Sequence, residues 1–73
     1  MAYPVLSRAG IQFLGNKSPS RMEVHNLRSE TKNCQIEEIL RAGNAVRFLP
    51  DTLQQAHAEG CDNCAYCIGK STR

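Results

Sequence analysis

The chain has 73 residues, a net charge of +2, no tryptophan and only two phenylalanines. That length allows one domain, and so small a core rarely supplies more than about 3–5 kcal/mol, so a staple is expected: disulfides, a metal or a partner chain. No stretch reads as a signal peptide or a membrane span, because Arg, Gln, Asn or Gly interrupts each apolar run. A cytoplasmic, reducing setting is the default, which disfavours disulfides among the four cysteines and favours a metal. The basic residues are scattered, so the charge permits nucleic-acid contact without indicating it.

Residues 1–9 are a poorly specified start. "IQFLGNKSPS" predicts a short strand, Ile11 to Leu14, closed by a turn from Gly15 to Ser20 rich in Gly, Asn, Ser and Pro. "RMEVHNL" alternates, with Met22, Val24 and Asn26 on one face and Glu23, His25 and Leu27 on the other. The two segments make a hairpin with His25 near the far end of its second strand. "RSETKN" reads as a polar loop. Asn33 is a fitting N-cap for a helix from Cys34 to about Ala42, with Ile36, Ile39 and Leu40 inward and Gly43 ending it. "AVRFL" is a strand with Val46 and Phe48 on one face. Asp51 and Gln54 form a capping box for a second helix that ends at Gly60, and Cys61 to Cys67 forms a turn. The order predicts a small α+β unit: a short antiparallel sheet, two short helices and a C-terminal cysteine turn.

The turn carries the chemistry. Cys64-Ala65-Tyr66-Cys67 followed by Ile68-Gly69 has the form of a zinc knuckle, in which two thiolates bite one ion and the glycine lets the backbone close around the sulfurs. Zinc needs two more ligands. Cys34 is the one cysteine outside the cluster, and its expected place at a helix start would favour the thiolate. His25 ends a strand a short loop away. The set His25, Cys34, Cys64 and Cys67 would therefore join the hairpin, the first helix and the turn. His57 competes with His25, but it falls along the inward stripe of the second helix and reads as a half-buried packing residue. Cys61 follows the helix-ending glycine and reads as a buried apolar stand-in. The rival chemistry is an iron–sulfur cluster on Cys34, Cys61, Cys64 and Cys67, since C-x-x-C-x-x-C opens a bacterial ferredoxin run. Here Ile68-Gly69 follows instead of the cysteine–proline continuation. A thiol redox role for Cys64 and Cys67 fits less well, because the motif follows a helix rather than opening one.

"GNKSPSRMEVH", Cys34 and "NAVRFLPDTLQQAHAEGCDNCAYC" together resemble the zinc-binding N-terminal domain of the Ada DNA-repair methyltransferase. The likeness is closer to Ada-like modules found alone or appended to bacterial nucleases. It covers about Ile11 to Cys67, so residues 10–68 are expected to form the metal-binding domain and 69–73 a flexible tail. The resemblance implies ligands at His25, Cys34, Cys64 and Cys67, with "LRSETKN" as an inserted loop between the first two. It also implies that Cys61 takes the place of an aromatic residue and His57 that of an aliphatic one. Ada proper has a cysteine at the first ligand position, and that thiolate accepts a methyl group from damaged DNA. Here the position is His25, and an imidazole bound through one nitrogen offers no equivalent nucleophile.

The expectation is thus a monomeric, non-enzymatic module with structural zinc. Its surface would meet nucleic acid, through Arg28, Lys32, Arg41 or Arg47, or another protein.

Overall fold

The computed structural model describes residues 2–19 and 21–69. The elements are β1 (Ala2–Pro4), β2 (Phe13–Ser18), β3 (Arg21–Asn26), α1 (Ile36–Arg41), β4 (Ala45–Phe48), α2 (Leu53–Ala58) and β5 (Asp62–Asn63). Two short 3-10 turns, Leu27–Ser29 and Lys32–Cys34, lie between β3 and α1. The strands form one sheet in the order β1-β4-β2-β3-β5. Its pairings are antiparallel except for β3 with β5, which is parallel, so the expected all-antiparallel sheet holds only in part. None of the described helices is long and apolar enough to cross a membrane.

Strand periodicity sends alternate side chains to opposite faces, and each face has its own cluster. On the first face Leu14 and Ala45 pack with Ile36 and Ile39 of α1 and with Cys34 and Cys64. On the other, Val24, Val46 and Phe48 pack with Ala56 of α2 and with Cys61. The sheet is therefore a middle layer between two short helices, with α1, Cys34 and Cys64 on one side and α2 on the other.

Three predicted boundaries are corrected. The strand expected to stop at Leu14 runs on through Gly15 to Ser18, in register with Arg21 to Asn26. Ser20 itself lies outside the described residues. The reason is packing: a Cβ on Gly15 would lie 2.6 Å from Phe48 Cζ and 2.7 Å from Val46 Cγ2. Gly15 is thus a strand residue whose missing side chain makes room for the large neighbours on β4.

The first helix begins at Ile36 rather than Cys34. Gln35 precedes it in the left-handed region at φ 54°, and Asn33 does not cap it. Its C-terminus follows the predicted stop. Gly43, at φ 78°, donates to Leu40 C=O and Asn44 donates to Ile39 C=O, the paired bonds of a Schellman motif.

At α2 the cap is Thr52, whose hydroxyl accepts from Gln55 N–H at 3.1 Å, and not Asp51. The Asp51 carboxylate instead accepts from the Gln12 and Phe13 N–H groups, both at 2.8 Å, and anchors the start of β2. Gly60 and Cys61 close α2 with a second Schellman pair, to His57 and Ala56 carbonyls.

The N-terminal residues, which the sequence leaves unspecified, supply the edge strand β1. Met1 and the expected tail residues 70–73 lie outside the described residues.

Candidate metal centre

His25 comes from β3, Cys34 from the second 3-10 turn, and Cys64 and Cys67 from the turn after β5. One ligand atom from each can be chosen so that all four lie within 4.8 Å of one another. Local structure explains the convergence. Position 25 is odd in a strand whose odd residues face α1, so the alternation that buries Val24 on the α2 side turns His25 to the α1 side. The register sets Leu14 opposite His25 and brings the ring against the first cluster. Parallel pairing of β5 with β3 then delivers the cysteine turn, and Cys64 N–H donates to Val24 C=O at 3.0 Å.

The turn closes on itself. Ile68 and Gly69 N–H groups both donate to Cys64 C=O, with Gly69 at φ 101°. That folds the backbone around the sulfurs as the glycine in the sequence implies. The Cys67 sulfur accepts from Asn26 N–H at 3.2 Å. Cys34 and Cys64 sulfurs lie 3.7 Å apart, and Cys67 Sγ is 3.8 Å from His25 Nδ1. The Thr31 hydroxyl is 3.7 Å from Cys34 Sγ. Asn26 and Thr31 are contributions that sequence reading missed. The available signals were Asn26 next to the histidine and Thr31 one turn before Cys34.

The electrostatics fit a cation more than an empty polar pocket. His25 is 2% exposed, with its Nδ1 turned toward the Cys67 sulfur. Burial holds the ring pKa down to about 4, only partly opposed by Glu30, so the imidazole is neutral and ready to ligate. Burial also pushes the Cys67 thiol up to about 12. Around Cys34 burial acts upward too, but a hydrogen bond with the Thr31 backbone, then Cys67, the Thr31 hydroxyl and Cys64, bring the thiol below its ordinary value. Three thiols and an imidazole gathered in a buried site hold little charge alone; a divalent cation would stabilise the thiolates that this burial disfavours.

None of the four cysteines forms a disulfide among the described residues, and Cys61 does not join the group. It is fully buried in the cluster with Ala56, Val24 and Phe48 on the opposite face. The four-cysteine set needed for the iron–sulfur reading is therefore not assembled. His57 is half-buried and its Nε2 lies 2.6 Å from Asn63 Oδ1, away from the cluster. The candidate nucleic-acid residues do not form one free patch: Arg41 pairs with Glu38, and Arg47 is half-buried with its Nε enclosed. Arg28 and Lys32 are exposed on the loop.

No protein-family model matches the chain, and neither a curated protein nor a solved structure matches it at a significant level.

Proposed function

We propose that this chain is a small binding module whose fold is held by one structural zinc ion on His25, Cys34, Cys64 and Cys67. The convergence of those four ligand atoms to within 4.8 Å carries the reading. Zinc bonds of about 2.3 Å to sulfur and 2.0–2.1 Å to nitrogen set tetrahedral edges of about 3.8 Å between sulfurs and about 3.6 Å from sulfur to nitrogen. The 3.7 Å and 3.8 Å separations agree with those edges. Three thiolates and an imidazole are a closed donor set for zinc, leaving no vertex for substrate, which favours a structural over a catalytic ion. The Cys64 to Cys67 turn, with its Asn26 N–H to sulfur bond and closing glycine, supports a zinc knuckle.

The order of motifs along the chain supports an Ada-like module, and His25 at the first ligand position supports binding without alkyl transfer. The surface would serve a nucleic acid or protein partner.

Elemental analysis of the native protein tests the reading directly. One equivalent of zinc is expected, and its removal should abolish the dispersed amide spectrum. A chain that stays folded after verified metal loss would refute it.

A further inference from the structure

A hollow of about 320 Å³ opens beside the metal centre, between the hairpin, the segment before α1 and the cysteine turn. His25, Cys34 and Cys64 border one part of it; the remainder is built from residues with no role in holding a metal. Arg21 and Glu23 project from the same face of β3 as His25, and Asn16 stands directly opposite Glu23 on β2. Neither Arg21 nor Glu23 forms an ion pair among the described residues, and the Asn16 Oδ1 is enclosed without a hydrogen-bond partner. Tyr66, between the two knuckle cysteines, also lines the hollow, with 60% of its surface exposed. Several other surface charges are matched, Arg8 with Glu30 and Glu37, Lys17 with Glu59, and Arg41 with Glu38, whereas Arg28 and Lys32 on the loop form no ion pair among the described residues. Arg21 and Glu23 differ from those loop cations in being of opposite sign and side by side on one strand face at the hollow.

Arg21 and Glu23 are two residues apart on one strand face, so their Cα atoms are separated by about 6.6 Å. That is also the repeat at which an extended peptide presents side chains to one side. We propose that the hollow docks an extended peptide segment carrying one acidic and one basic side chain two residues apart. The acid would meet Arg21 and the base Glu23. The peptide backbone would pass over Asn16 in the floor of the hollow, and Tyr66 would pack on the flanking residue. The volume, near the lower end of the about 300–1,000 Å³ usual for ligand sites, suits a pair of residues better than a cofactor. A nucleic-acid strand fits less well, because its phosphates would meet the Glu23 carboxylate. The inference rests on the binding-module reading above and selects a protein partner within it.

The experiment uses the full metal-loaded chain, labelled with ¹⁵N, after its metal content and dispersed spectrum are verified. Loss of either would count against the zinc reading and not against the peptide site. The probes are Ac-Ala-Glu-Ala-Lys-Ala-NH₂, the neutral Ac-Ala-Gln-Ala-Gln-Ala-NH₂, the doubly basic Ac-Ala-Lys-Ala-Lys-Ala-NH₂ and a short oligothymidylate. The mixed-charge peptide should give saturable shifts at Arg21, Glu23, Tyr66 and the Asn16 side-chain amide. It should bind about five-fold more tightly than the neutral one. Arg21→Glu should move the preference to the doubly basic peptide by a similar factor. No saturable shift at about 5 mM mixed-charge peptide, well above a 1 mM dissociation constant of about −4 kcal/mol, would overturn the proposal. So would shifts at these residues with oligothymidylate alone, or an unchanged peptide preference in the folded variant.

Discussion

The two faces of the sheet solve the problem of a small core in different ways. On the α2 face Phe48, Val24, Ala56 and Cys61 are fully buried, and Gly15 admits the Phe48 ring where any side chain would collide. That face is held by apolar contact. The α1 face has its own apolar patch, Leu14, Ile36, Ile39 and Ala45, but the patch is continuous with Cys34 and Cys64 and lies beside a buried imidazole. Such a site is costly unless the polar atoms find a partner. The lesson is a division of labour: the cluster around Phe48 is apolar, whereas the one opposite would be completed by a cation at its centre.

Removing the ion should therefore have the largest effect. Structural zinc in small domains contributes about 10–16 kcal/mol apparent at neutral pH, against about 3–5 kcal/mol for a core of this size. Chelation, or Cys64→Ser, should unfold the chain as a whole, including the apolar face. Cys64 is chosen because its sulfur is buried where the cysteine turn meets the first cluster. Amide hydrogen exchange checks it; protection retained on β4 and α2 after metal loss would mean that the two faces fold independently.

Acid should reach the same end by a smaller step. Protons compete with the ion for sulfur and imidazole, and in the metal-free fold the buried His25 ring titrates with the same sign. Its pKa is about 4 in the fold against an ordinary 6.5, so between those values the unfolded chain binds more protons. The His25 contribution is whole above pH 6.5 and is lost as pH falls to about 4. Circular dichroism followed from neutral pH to pH 4 should show cooperative loss of structure accompanied by metal release. A fold indifferent to pH across this window would separate the imidazole from stability.

The apolar face is probed by Gly15→Ala. The added methyl group would be driven against Phe48 and Val46, and overpacking of this kind costs about 1–3 kcal/mol. Because Gly15 faces away from the ligands, metal stoichiometry should be unchanged while thermal stability falls. A fall in metal affinity as large as the fall in stability would instead show the two faces to be tightly coupled.

How far the sequence discloses this arrangement depends on whether the deciding interaction is local. The Gly43 and Gly60 stops, the inward stripe of α1 and the Val46–Phe48 face follow from periodicity and capping, and the structure has them where expected. The four residues of the cluster were also legible, because thiols and imidazoles near the ends of short elements have few alternatives. What was not legible depends on distant residues. Gly15 reads as a turn until Phe48 is seen above it, and Asp51 reads as a cap until the Gln12 and Phe13 N–H groups are found to claim it. The parallel pairing of two-residue β5 leaves no periodic signal at all. The left-handed Gln35, which detaches Cys34 from α1, has no glycine to announce it.

Cys61 offers the smallest and most discriminating perturbation. It sits three residues before Cys64, in the same motif by spacing, yet β5 intervenes and the second Schellman turn directs its side chain onto Ala56 across the sheet. Its sulfur is thus a packing atom. Cys61→Ala removes that atom from a fully buried site, a deletion worth about 1 kcal/mol, comparable to Ile→Val in a core. Thermal denaturation should register this loss, while elemental analysis finds the same single equivalent of metal as in the parent chain. Three cysteines spaced alike would then have been sorted by topology alone, two to the ion and one to the hydrocarbon. Loss of the metal with Cys61 in a variant that is still folded would place the sulfur in the wrong layer and undo the distinction between the two faces.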